Sequence, residues 1–247
     1  MNFNIIIPVR YASTRLPGKP LAKLAGKPLI QHVHERACQT GAEKIIIATD
    51  DFMVRDACGQ FGAKVIMTAR KHASGTDRIA EAVAHLNWPD DTIVVNLQGD
   101  EPLMPPELPL QVAQLLENDP QADMATLCSP ITDVNDIDNA NCVKVVFDKQ
   151  GNALYFSRAS IPHVRDADNT QQAITYRHLG LYAYRTGALK TFSQSPACEL
   201  EQAEKLEQLR ALWLGMRIKI AIAEKEPGRG VDTQEDLQAV EAILRKS

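Results

Sequence analysis

Four apolar runs rich in Ile and Val punctuate the first hundred residues: FNIIIPV (3–9), KIIIAT (44–49), KVIMT (64–68) and TIVVNLQ (92–98). They are continuous rather than alternating, the pattern of strands buried on both faces. Helical periodicity lies between them. PLIQHVHERACQT opens at Pro28, a residue tolerated in the first helical position, and stops at Gly41, a common residue beyond a helix end. TDRIAEAVAHL places Ile79, Val83 and Leu86 along one face. Strands alternating with helices predict an α/β fold, a mostly parallel central sheet with helices on both faces.

Beyond about residue 120 the rhythm changes. ADMATLCSPI, CVKVVFD, ALYFS and HLGLYAYRT read as strands with little helix between them, and ELEQAEKLEQLRALWLG (199–215) reads as one strong helix. The polar stretch 163–177 reads as a loop. MRIKIAIAE predicts a further strand, and a last helix opens at Thr233 with Asp236 three residues on. The 247 residues are read as a single α/β domain: about 1–120 and 216–247 form one part, and about 121–215 a smaller, strand-rich part.

Composition narrows the chemistry. The chain is 45% apolar and 23% charged with a formal net charge of -4, so a broad basic surface for nucleic acid is not expected. No stretch approaches the roughly 18 consecutive apolar residues of a membrane span, and no basic, then apolar, leader opens the sequence, which points to a cytoplasmic protein without membrane insertion. Five scattered cysteines without C-x-x-C signal neither a disulfide framework nor zinc and read as small buried thiols. His32 and His34, two apart on a helix, face different directions and read as solvated or partly packed.

In open parallel sheets ligands bind beyond the carboxyl ends of the strands, so the loops there carry the candidate chemistry. The first, RYASTRLPGKPL (10–21), lacks both the G-x-x-x-x-G-K-[ST] and the G-x-G-x-x-G spacings. It still brings Arg10, Arg15 and Lys19 beside a flexible backbone, which suits phosphates as well as it suits a solvated surface. Asp100, in LQGDEPLM, ends the fourth run and suits Mg²⁺ completed by phosphate oxygens. Asp232, in PGRGVDT, stands at the mouth of the last helix, where it reads either as part of the helix start or as a second carboxylate completing a metal-phosphate clamp. Ser74 and Asp77 in ASGTDR fit a helix cap, and Arg78 is placed to meet a base or ribose. Arg158, His178, Tyr182, Glu204, Glu207 and Gln208 supply polar groups to the second half. Unaided, these residues indicate only that something anionic is bound.

Taken together and in order, IPVRYASTRLPGKPL, SGTDR, QGDEP, LYFSRASIP, RHLGLYAYR, LEQLR and GVDT resemble the 3-deoxy-manno-octulosonate cytidylyltransferases, also called CMP-KDO synthetases, from residue 5 to about 240. The resemblance implies a nucleotidyltransferase fold (nucleotide-diphospho-sugar transferase-like) and transfer of CMP from CTP to the eight-carbon acid sugar KDO, with Mg²⁺ as cofactor, for lipopolysaccharide synthesis. It also implies a homodimer, with the second-half strands serving the sugar and the pairing surface. By motif, Arg10, Arg15, Lys19 and Asp100 would be catalytic. Pro8, Ser13, Ser74, Thr76, Arg78 and Gln98 would join Arg10, Arg15 and Lys19 around CTP. Gln98, Arg158, His178, Tyr182, Glu207 and Gln208 would contact the sugar, and Asp100 and Asp232 would hold Mg²⁺. Two positions depart from the family pattern, Val9 after Pro8 and Arg229 inside the last glycine turn, the second with an expected influence on phosphate affinity.

Overall fold

The computed structural model describes residues 1–12, 15–72, 74–165 and 175–246. Ser13 and most of the expected loop at 163–177 therefore lie outside the described residues. The first half runs β1 (Phe3–Val9), the short pair β2 (Lys23–Leu24) and β3 (Lys27–Pro28), α1 (Leu29–Cys38), β4 (Lys44–Thr49), α2 (Phe52–Gln60), β5 (Lys64–Met67), α3 (Gly75–Leu86), β6 (Ile93–Asn96) and α4 (Glu107–Glu117). The second half runs β7 (Met124–Pro130), β8 (Lys144–Phe147), β9 (Ala153–Ser157), β10 (Tyr176–Arg185), α5 (Thr186–Gln194), α6 (Glu199–Glu204), α7 (Gln208–Trp213), β11 (Ile218–Ile222) and α8 (Gln234–Leu244).

Among the described residues, the main sheet has the order β11-β7-β10-β6-β1-β4-β5, with β8 and β9 continuing from β10. β1 pairs in parallel with β4 and β6, as do β4 with β5 and β7 with β11, whereas β10 runs antiparallel to both β6 and β7. Along that path only β10 is reversed, so the central sheet is mostly parallel. Side chains of β1 alternate between two cores. Ile5 and Ile7 pack with Val33, Val54, Val112 and Val240 of α1, α2, α4 and α8, while Ile6 packs with Ile79, Leu189 and Leu209 of α3, α5 and α7. Helices on both faces explain why the run is apolar at every position.

The two halves share one sheet, because β6 lies directly against β10. The predicted helix at 199–215 is two short helices, interrupted where Lys205 adopts a left-handed conformation at φ 54°. A residue there cannot continue the helical ladder, and the break turns Glu207 and Gln208 back toward α3 and the core. Helices α2, α4 and α5 were not among the predicted elements. Two carried readable signals: Asp51 caps α2 by accepting from the Met53 and Val54 N-H groups, and α4 repeats Leu108, Val112 and Leu116 at four-residue spacing.

Cys58, Cys128 and Cys198 are buried as expected, but Cys38 is exposed at the end of α1. His32 is more enclosed than expected, with Nε2 2.8 Å from the Leu24 carbonyl. The last helix begins in a reciprocal cap: Thr233 accepts from the Asp236 N-H while Asp236 accepts from Thr233. Asp236 is held down to about 2, chiefly by the Thr233 hydroxyl and also by the Asp232 N-H and Arg229. Thr233→Ala should lower stability by about 1 kcal/mol. For a chain of this size that corresponds to a fall of roughly 2–4 °C in melting temperature, readable by thermal unfolding.

Candidate active site

Three loops leave β1, β5 and β6 at their carboxyl ends and enclose a cavity of about 340 Å³. The first contributes Pro8, Arg10, Arg15 and Lys19, the second His72, Ser74, Gly75 and Arg78, and the third Gln98, Gly99 and Asp100, with Asp232 completing the rim. Gly99 is required by packing, since a Cβ there would stand 2.9 Å from Val9 Cγ2 and 3.1 Å from the Pro8 carbonyl. Val9, one of the two departures from the family pattern, thus packs under the loop that carries Asp100.

The segment before α8 is locked to the same loop. A Cβ on Gly228 would approach Leu103 Cβ to 2.4 Å, and the Val231 N-H donates to the Asp100 carbonyl at 2.8 Å. This docking sets Asp232 opposite Lys19. Lys19 Nζ donates to Asp100 Oδ2 at 2.7 Å and to Asp232 Oδ1 at 3.1 Å, and Arg15 pairs with Asp232 at 3.1 Å. The Lys19 side chain is 16% exposed against 65% for Arg15, so Lys19 is the better shielded of the two cations. Beside them, burial and then the charges of Asp100 and Asp232 push the Glu101 carboxyl up to about 8, with Lys19 opposing.

Asp100 and Asp232 offer oxygen-only, anionic donors converging on a single ammonium, the donor type that Mg²⁺ accepts. Among the described residues no three His, Cys, Asp or Glu side chains form a ready metal cage.

Other candidates take supporting places. Ser74 caps α3, accepting from the Asp77 N-H at 3.1 Å. Thr76 is buried and donates to Glu207 Oε1 at 2.5 Å, beneath the cavity wall. Arg78 reaches the wall, but its guanidinium is held by the Thr68 hydroxyl and by Asp50 at 3.3 Å. Arg229 binds Asp236, with Nε at 2.8 Å and a second nitrogen at 2.7 Å, so its charge is engaged in the helix cap.

A second cavity, about 490 Å³, adjoins the first and shares Gln98 with it. The Gln98 amide donates to Asn96 Oδ1 at 3.1 Å. Its walls include Glu101, Asn139, Asn141, Arg177, His178 and Gly180. Two features shape them. The β10 register shifts between Leu179 and Tyr182, where the Thr126 hydroxyl lies 3.0 and 2.8 Å from the Leu179 and Leu181 carbonyls. The 139–143 turn is gathered around the buried Lys144 ammonium, which donates to the carbonyls of Asn139, Cys142 and Arg158.

Of the expected sugar set, Gln98 and His178 line this cavity. Burial pushes the His178 imidazole down to about 3, leaving it neutral, with Nε2 3.0 Å from the Thr126 hydroxyl. Arg158, Tyr182, Glu207 and Gln208 line neither cavity. Arg158 donates to the carbonyls of Glu204 and Ala140, and Tyr182 packs against His178 and Tyr184. Glu207 holds Thr76, its carboxyl raised by burial, and Gln208 is buried in α7. The sequence reading missed Arg177, although it begins the quoted RHLGLYAYR stretch, and Asn139 and Asn141, which sit in a polar connection without a recognisable spacing. It also missed His72.

Residues 4–218 match the family described as Cytidylyltransferase. The 3-deoxy-manno-octulosonate cytidylyltransferase of Thioalkalivibrio sulfidiphilus is 55% identical over 249 residues, covering 99% of this chain and all of the relative. That of Idiomarina loihiensis is 52% identical over 96% of each chain. The chain belongs to the 3-deoxy-manno-octulosonate cytidylyltransferase family. A solved structure of CMP:2-keto-3-deoxy-manno-octonic acid synthetase complexed with CTP superposes with a TM-score of 0.92 at 43% identity, covering 100% of this chain and 99% of that one. In this cytidylyltransferase fold the family stretches IPVRYASTRLPGKPL, SGTDR, QGDEP and GVDT all reach the first cavity, and RHLGLYAYR reaches the second. No helix among the described residues is long and apolar enough to cross a membrane.

Proposed function

We propose that the chain transfers CMP from CTP to 3-deoxy-manno-octulosonate, joining a sugar hydroxyl oxygen to the α-phosphorus and releasing pyrophosphate. The observation that carries this is the pair of adjoining cavities: one bears Lys19, Arg15 and Arg10, the other has mixed polar and apolar walls and an arginine, and Gln98 lies in both. An in-line displacement needs its two reactants side by side, and adjoining pockets with a common residue supply that proximity.

In this reading Arg10, Arg15 and Lys19 bind the triphosphate, and Lys19 meets charge as it develops on the phosphoryl oxygens. Pro8, Ser74 and Gln98 form the nucleoside wall, with Thr76 and Arg78 supporting it from behind. Asp100 and Asp232 would hold Mg²⁺, which when bound supplies Lewis-acid stabilisation of the reacting phosphate. Arg177, the cation among the described residues of the second cavity, receives the sugar carboxylate, while neutral His178 contributes shape and hydrogen bonding without charge. Arg177→Met should therefore raise the KM for KDO by roughly 10- to 100-fold and leave the KM for CTP within twofold. Steady-state kinetics with each substrate varied in turn reads this.

The same reading takes the product to lipopolysaccharide synthesis in the cytoplasm, and the active species to be a homodimer. Exposed Leu154 on β9 and Trp213 on α7, both in the second half, support a pairing surface there. The deciding experiment measures pyrophosphate release from CTP and Mg²⁺ with KDO, with sialic acid and with no acceptor. Release with KDO alone, abolished by chelation, supports the reading; release only with another acid sugar reassigns the second cavity, and none with any acceptor overturns it.

A further inference from the structure

His72 lines the nucleotide cavity, and the family comparison and the motifs above leave it without a role. Its surroundings are specific. His72 Nε2 is hydrogen-bonded to Glu81 Oε2, and the same carboxylate oxygen accepts from the Ala69 N-H at 2.9 Å. Glu81 lies in the second turn of α3, so it ties both ends of the loop between β5 and α3 to the helix it feeds. His72 and Glu81 side chains are 15% and 26% exposed. A second imidazole near Glu81, that of His85, stands farther off at 4.0 Å and is half exposed. Against burial, which raises it, the His72 and Ala69 hydrogen bonds and the nearby His72 and His85 rings lower the Glu81 carboxyl, so it stays an acceptor.

Because Glu81 accepts at Nε2, the nitrogen left for a ligand is Nδ1. The position of the loop indicates which part of the ligand. His72 stands two residues before Ser74, and Gly75 packs against Pro8 and toward Gln98, on the wall that receives the nucleoside. The shielded cation, Lys19, is engaged with Asp100 and Asp232 at the other loops.

We propose that His72 contacts the nucleoside portion of the bound nucleotide through Nδ1, and that Glu81 is the positioning residue that fixes the ring for it. This rests on the reading of the first cavity as the CTP site. The arrangement parallels the way a carboxylate orients a histidine that must present its other nitrogen.

The test compares binding of CTP and of inorganic triphosphate by calorimetry in the wild-type chain, His72→Ala, His72→Gln and Glu81→Ala, with melting temperature recorded for each. The expected result is CTP binding weakened about tenfold in His72→Ala and Glu81→Ala. Triphosphate binding should be unchanged, and His72→Gln should recover part of the loss. Equal loss of both ligands would overturn the nucleoside assignment, and unchanged CTP binding in His72→Ala would overturn the contact itself. Should Glu81→Ala weaken neither ligand while His72→Ala weakens CTP, the positioning role of Glu81 would be overturned. Failure of the wild-type chain to bind CTP would instead count against the underlying reading. If an alanine variant fails to fold, His72→Gln keeps the proposal open to refutation: a normally melting glutamine variant in which CTP and triphosphate binding weaken equally overturns the nucleoside assignment.

Discussion

Lys19→Met is expected to lower turnover by about 10²- to 10³-fold. Methionine keeps an unbranched apolar stem and removes only the ammonium, the group placed 2.7 and 3.1 Å from Asp100 and Asp232. That ammonium holds the two carboxylates together; in the proposed reaction it would meet charge on the reacting phosphates. If it acts mainly in the transition state, kcat falls with kcat/KM, whereas a ground-state phosphate contact raises KM alone. Melting should change little, since Asp100 and Asp232 are 32% and 48% exposed and remain solvated without their partner. Pyrophosphate release by the variant at the wild-type rate would remove Lys19 from the chemistry.

Asp100→Asn should cost at least about a hundredfold in rate and raise the Mg²⁺ concentration needed for half-maximal activity. The amide preserves the size of the side chain, and the loop keeps its course because Gly99 still packs on Pro8 and Val9 and the Asp100 carbonyl still accepts from Val231. What changes is the charge available to a divalent cation, and the carboxylate whose repulsion helps raise Glu101. A Mg²⁺ titration superimposable on that of the wild-type chain would show that Asp100 is not a metal ligand.

Local signals made much of this architecture legible. The β1 run was read from end to end because both its faces are buried, and the α8 cap because Thr233 and Asp236 carry their own hydrogen-bonding logic. The first-cavity candidates were legible for a related reason: strand ends in a parallel sheet point their loops to one edge, so Arg10, Arg15, Lys19, Gln98 and Asp100 had to be neighbours. The second half was harder. One left-handed residue, Lys205, divides a periodic helix and carries Glu207 under Thr76, and neither composition nor spacing announces such a break. His72 was likewise hidden, because its partner Glu81 is nine residues away on a helix whose boundaries, but not whose loop contacts, could be inferred.

The contact between Lys19 and Asp232 joins residues 213 positions apart, and the strand that closes β6 on its open side, β10, begins only at Tyr176. A chain emerging from the ribosome can assemble β1, β4, β5 and their helices early, but it then exposes an unpaired edge of β6 until residues 176–185 arrive. Asp100 and Asp232 come together last of all, once the turn holding Gly228 has settled on Leu103. Nascent chains paused between these points would be structured yet inert, and that interval is when a chaperone would find the most to hold.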